Sequence, residues 1–111
     1  MTSSLNPRRY AIIALTIITA LIHLGLGIGF SDPKFILNGV GYIVLIVALY
    51  FIPQLAEQRA LIRWLLLAYT AVTFILYFVF NWPDIWGPAG IIDKIVELVL
   101  LILLWLDRKD P

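Results

Sequence analysis

Apolar residues fall in four long runs, Tyr10 to Phe30, Phe35 to Ile52, Ala60 to Phe80 and Gly87 to Leu106, separated by short polar breaks. Each run is close to the roughly 20 residues that a helix needs to cross about 30 Å of hydrocarbon. The breaks, Ser31 to Lys34, Pro53 to Arg59 and Asn81 to Trp86, have room for a turn and little else. Helices joined this closely lie antiparallel as neighbours. The pattern predicts an all-α fold, a single integral membrane domain over residues 1–111 built as a four-transmembrane-helix up-down bundle. Local chemistry supports these limits. Asp32-Pro33 opens a tight turn, and Pro53 ends the second helix because the residue before a proline avoids the helical region. Pro88 suits the first turn of the fourth helix, where its missing N–H is no loss.

Composition strengthens the membrane reading. Apolar residues make up 62% of the chain and its mean hydropathy is +0.98, more than a soluble domain of 111 residues can hide. Arg8 and Arg9 ahead of the first run give it a likeness to a secretory signal. It is too long for one and has no small-x-small site before Ser31, so it is expected to stay as a helix. Basic residues then orient the bundle. Arg8, Arg9, Arg59, Arg63, Arg108 and Lys109 fall on one side against Lys34 and Lys94 on the other, so both termini are expected to be cytoplasmic in a multi-pass cell-membrane protein. Trp64 and Trp105 sit near the inner interface in this topology, and Trp82 and Trp86 near the outer one. A net charge of +1 offers nothing to nucleic acid, and the lack of cysteine removes disulfides and thiolate chemistry. Ser3, Ser4 and Asn6 at one end and Asp107 to Pro111 at the other read as solvated tails.

The fourth run carries Asp93, Lys94 and Glu97, each worth roughly 2.5–3.5 kcal/mol against insertion near the membrane centre. Counting 1.5 Å per residue from the outer helix ends, Asn38 lies about 5 Å deep, Asp93 about 9 Å, His23 about 10 Å and Glu97 about 15 Å. Thr73 and Tyr77 lie at similar depth, so all four helices contribute to a polar cluster in the outer half, while the inner half reads as almost purely aliphatic. Gly90, Asp93 and Glu97 share one helical stripe. Lys94 and Glu97, three apart, can pair, which leaves Asp93 in need of His23, Asn38, a hydroxyl or water. Such groups serve either as interhelical glue or as a proton or ligand site, and both readings stay open. Gly25 and Gly29, with Gly39 and Gly41 across the first turn, are expected to let helices one and two approach closely. Thr70 and Thr73 are expected to bond backbone carbonyls or a neighbouring helix.

Several chemistries lose support. His23 is the single histidine, which excludes bis-histidine haem ligation within one chain and a histidine-rich metal site. No nucleophile elbow, zincin helix, Walker loop or cysteine pair is present, and four short-looped helices promise little cleft for a substrate. The chain therefore reads as a non-enzyme without a cofactor.

The segments LIHLGLGI around His23, LNGVGYI from Leu37 to Ile43, YTAVTFILY from Tyr69 to Tyr77 and IIDKIVELVLLILL from Ile91 to Leu104 resemble a family of small four-helix membrane proteins of bacteria and archaea. That family has no assigned activity, so the resemblance implies fold and membrane location alone. Size and helix count are also similar to small multidrug-resistance transporters. Those proteins carry their glutamate in the first helix, where this chain has His23, and their dual-topology members need a balanced basic distribution.

Two function classes follow. In the first the chain is a non-catalytic accessory subunit or scaffold of a membrane assembly, since four helices bury little and partners are a common remedy. In the second a homo-oligomer moves protons, ions or a small solute, with Glu97 and Asp93 titrating, Lys94 as counter-charge and His23 as relay. A lipid or quinone pocket is a third. The expected surroundings are the lipid bilayer and further copies or a larger complex.

Overall fold

The computed structural model describes residues 5–109, so Ser3, Ser4, Asp110 and Pro111 lie outside the described residues. Four helices follow one another, α1 (Pro7–Gly29), α2 (Pro33–Tyr50), α3 (Arg59–Asn81) and α4 (Pro88–Asp107), with a short 3-10 helix at Pro53–Gln58 in the second connection. No strand occurs among the described residues. Three helices, α1, α2 and α3, are long and apolar enough to cross a membrane. The fourth is of similar length and differs by its three charges.

The helices close a ring. α1 packs against α2 and α4, α3 packs against the same two, and α2 reaches α4 across the ring through the Tyr42 and Tyr50 hydroxyls. Each helix buries one stripe at spacings of three and four, as on α4, where Asp93, Glu97, Leu100, Leu104 and Asp107 turn inward. Exposed residues between them, Ile92, Ile95, Leu98, Val99 and Ile102, are all apolar. The middle and one end of the ring are filled by Ile12, Tyr42, Ile46, Leu49, Leu66, Leu100 and Leu104.

Helix ends explain themselves locally. Asn6 caps α1 by accepting from the Arg9 amide at 2.9 Å, with Pro7 at the first helical position. α1 therefore starts three residues before the apolar run does. At its other end Ser31 adopts a positive φ of 52°, and the Asp32 amide returns to the Gly27 carbonyl at 2.8 Å. Asp32 then caps α2, accepting from the Lys34 amide at 3.0 Å.

Glycines correct one expectation. A Cβ on Gly39 would meet Leu24 Cγ at 2.7 Å and the Ala20 carbonyl at 2.8 Å, and one on Gly27 would meet the Ile36 amide at 2.8 Å, so these two set the α1–α2 approach. Gly41 instead admits the Tyr69 hydroxyl from α3, whereas Gly25 and Gly29 have no atom of this chain within 4 Å of a Cβ. The GxxxG pair points outward because His23 and Gly27, two residues from each, take the inward stripe.

The end that carries both termini corrects two more. Neither Asn6 nor Asp107 belongs to a solvated tail. Asp107 is fully buried and accepts from Arg8 Nε at 2.9 Å, Arg9 Nε at 3.1 Å, Arg63 Nε at 3.0 Å and the Tyr50 hydroxyl at 2.9 Å. One carboxylate thus gathers side chains from α1, α2 and α3 onto the end of α4. This half of the bundle is aliphatic only as far as Arg9 and Arg63, which are 1% and 3% exposed.

Candidate functional site

At the opposite end, where the α1–α2 and α3–α4 connections lie, α4 turns Asp93, Lys94 and Glu97 into the ring, all at least 95% buried. Thr19 and His23 reach them from α1, one turn apart on the same face, and Tyr42 from α2. Asp93 Oδ1 accepts from the Thr19 hydroxyl at 2.5 Å. Glu97 Oε2 accepts from the Tyr42 hydroxyl at 3.0 Å and stands 3.1 Å from Thr19 Oγ1. The Lys94 ammonium ion-pairs with Glu97 Oε1 and lies 3.5 Å from Asp93 Oδ2. Its outer side faces the Tyr77 ring, whose centroid is 4.9 Å away.

His23 is held by an interaction that also decides its tautomer. Nδ1 lies 2.8 Å from the Thr19 carbonyl oxygen, which can only accept, so Nδ1 carries the ring proton. In the neutral ring Nε2 is then a bare lone pair. It faces Asp93 Oδ2 at 3.6 Å. The same Asp93 oxygen also has the Lys94 ammonium 3.5 Å away.

Four of the residues singled out from the sequence, His23, Asp93, Lys94 and Glu97, therefore meet in one cluster. Asn38 stands apart, donating its amide to Thr73 Oγ1 at 3.1 Å, with its own Oδ1 buried and without a donor. Thr70 returns its hydroxyl to the Leu66 carbonyl at 2.8 Å, as expected of a threonine inside a helix. Thr19 and Tyr42 are additions. Both are fully buried, Thr19 one turn before His23 and Tyr42 one turn after Asn38, and that spacing was the signal available for them.

A cavity of about 880 Å³ opens at this end and descends to the cluster, lined among others by Phe35, Asn38, Tyr77, His23, Asp93 and Lys94. The expectation that short loops leave no cleft is thus overturned. Its walls come from all four helices, with Gly87 to Gly90 at the entry to α4 among them, and Gly90 itself lies tight against Tyr77. The expectation that His23 cannot build a histidine-rich centre stands by residue count. What the fold gathers is a mixed set: His23, Asp93 and Glu97 each offer a ligand atom, all within 4.8 Å of one another.

Comparison with family models, with curated proteins and with solved structures gives no match. Four helices, three of them able to cross a membrane, and a buried ionic cluster under an open cavity define the class as a small helical membrane protein with an internal polar site.

Proposed function

We propose that this chain is a four-span integral membrane protein with both termini cytoplasmic, and that its cavity is a one-sided binding pocket for a small cation. Its fourth span is α4, whose 20 residues cover about 30 Å and whose charges turn inward while its outward face is apolar. The six-to-two distribution of Lys and Arg supports the orientation, which makes the pocket extracytoplasmic.

The observation that carries the reading is the union of the open cavity with a floor in which two carboxylates, Asp93 and Glu97, share one ammonium and His23 Nε2 faces Asp93. Interhelical glue needs no cavity. The other end is plugged by the aliphatic core and clasped at Asp107, so access is from one side, as in a binding subunit or in one state of a carrier.

Because the protein has no cysteine, a single one placed at Ala89 on the cavity wall reports access directly. In right-side-out vesicles the Ala89→Cys protein is expected to react several-fold faster with a cationic methanethiosulfonate than with an anionic one. Asp93→Asn is expected to erase that preference. Absence of labelling, or equal rates for both reagents, would overturn the reading.

A second reading, assembly with other membrane helices, is favoured by Gly25 and Gly29, which leave a smooth, open patch on α1. Gly25→Leu is expected to lower the oligomer size in detergent under this reading and to leave it unchanged otherwise.

A further inference from the structure

We infer that His23, Asp93 and Glu97 form a site for one first-row divalent transition-metal ion, with Lys94 as a tethered cation that holds the two carboxylates until the ion arrives. This rests on the reading of the cavity as cation-accepting and gives its occupant a chemical class.

Ligand type and geometry lead to the metal. An imidazole nitrogen with carboxylate oxygens suits manganese to zinc, whereas calcium requires six to eight oxygens and copper(I) prefers sulfur. Bonds of about 2.1 Å draw ligand atoms to within about 4.2 Å of one another. The three candidates already lie within 4.8 Å, on two rigid helices, so the required contraction is a side-chain adjustment.

The surroundings are those of a metal-binding histidine. Its Nδ1–H is committed to the Thr19 carbonyl at 2.8 Å, which fixes the ring and aims the Nε2 lone pair at the carboxylates. The Thr19 and Tyr42 hydroxyls donate to Asp93 Oδ1 and Glu97 Oε2, orienting the carboxylates in turn. Ligands and supporting groups together are buried, yet the cavity reaches His23 and Asp93 from outside.

Charge explains Lys94. A divalent ion neutralises Asp93 and Glu97 by itself, so the ammonium becomes superfluous when it binds. Lys94 is already on the cavity wall with the Tyr77 ring 4.9 Å away, and Asp84 and Asp32 line the same cavity. The lysine therefore competes with the ion and keeps the empty site from carrying two unpaired carboxylates.

The experiment uses the untagged full chain in nanodiscs, washed with chelator and titrated with Co²⁺. One ion per chain with visible d–d bands is expected, and Cu²⁺ substitution is expected to give an electron paramagnetic resonance spectrum split by a single nitrogen. Lys94→Met is expected to tighten Co²⁺ binding by about 10–100-fold, and His23→Gln to weaken it by about as much and abolish the nitrogen splitting. Circular dichroism and gel filtration confirm that each variant is folded, and Lys94→Met, a gain of affinity, cannot be mimicked by misfolding. No binding by folded wild-type and Lys94→Met proteins, or equal binding by His23→Gln, would overturn the inference. If the Ala89→Cys protein still prefers the cationic reagent in that case, the metal alone is wrong. Loss of that preference as well removes the cation pocket itself.

Discussion

Asp107→Asn keeps the shape of the side chain that gathers the four helices and removes its charge. The carboxylate accepts from two guanidinium groups that are buried, Arg9 and Arg63, from Arg8, which is 31% exposed, and from the Tyr50 hydroxyl. Exposed pairs contribute about 0–1 kcal/mol, so Arg8 adds little. Breaking a buried pair by removing one partner costs about 3–5 kcal/mol, and an asparagine in this place turns an N–H₂ toward guanidinium donors. The expected loss is therefore about 3–5 kcal/mol, a large part of a total stability of about 5–15 kcal/mol. Trp64 and Trp105, with ring centroids 5.9 Å apart near the same end, report unfolding by their fluorescence when SDS is titrated into maltoside micelles. Arg8→Ala is expected to stay within about 1 kcal/mol of the wild type. Arg63→Met combined with Asp107→Asn is expected to cost less than the sum of the two, by about 1–3 kcal/mol. An Asp107→Asn protein within 1 kcal/mol of the wild type, or strict additivity with Arg63→Met, would refute the clasp.

The same unfolding assay checks three further outcomes. Gly39→Ala drives a methyl group into Leu24 and the Ala20 carbonyl and is expected to cost about 1–3 kcal/mol, whereas Gly25→Ala, facing open space, is expected to be neutral or slightly stabilising; equal losses would show that Gly25 is covered by a partner. Thr19→Val deprives Asp93 of its closest donor and is expected to cost about 1.5–3 kcal/mol, while Thr16→Val, whose hydroxyl only returns to the Ile12 carbonyl, is expected to stay within about 0.5 kcal/mol, and similar losses would contradict the assigned bond. Ser31→Gly relieves a left-handed residue at the end of α1 and is expected to raise stability by about 0.5–1 kcal/mol; a loss would mean that the serine side chain has a role of its own.

What the sequence made legible was whatever depends on period and length. The helices, their short turns and the convergence of His23, Asp93, Lys94 and Glu97 follow from residues on one stripe at one depth. Pairing of Lys94 with Glu97 needs only their spacing. The Asp107 clasp was not legible because charges beyond an apolar run look alike whether they are solvated or buried. Only the ring's closure brings Arg9, Arg63 and Tyr50 to the same carboxylate. Gly25 and Gly29 misled for a related reason: the motif names a spacing, and the facing of α1 decides which glycine turns inward. The cavity was hidden too, since its walls come from all four helices and only their arrangement shows the space between them.

The two polar ends of this bundle differ in how their charges are partnered. Both bury carboxylates among partners that desolvation makes expensive to leave unpaired. At the Asp107 end acceptors meet donors: three guanidinium groups and a hydroxyl converge on one carboxylate, and tightening that arrangement further has no use except to hold helices together. At the other end the complement is incomplete. An imidazole whose Nδ1 is bonded to a backbone carbonyl turns its Nε2 toward a carboxylate, a single ammonium serves two acids, and an open space of about 880 Å³ stands above them. A fold selected for rigidity alone could put a matched pair in place of three charges. The gap is better understood as room for an ion, with the clasp at the far end supplying the stability that lets the site stay unfinished.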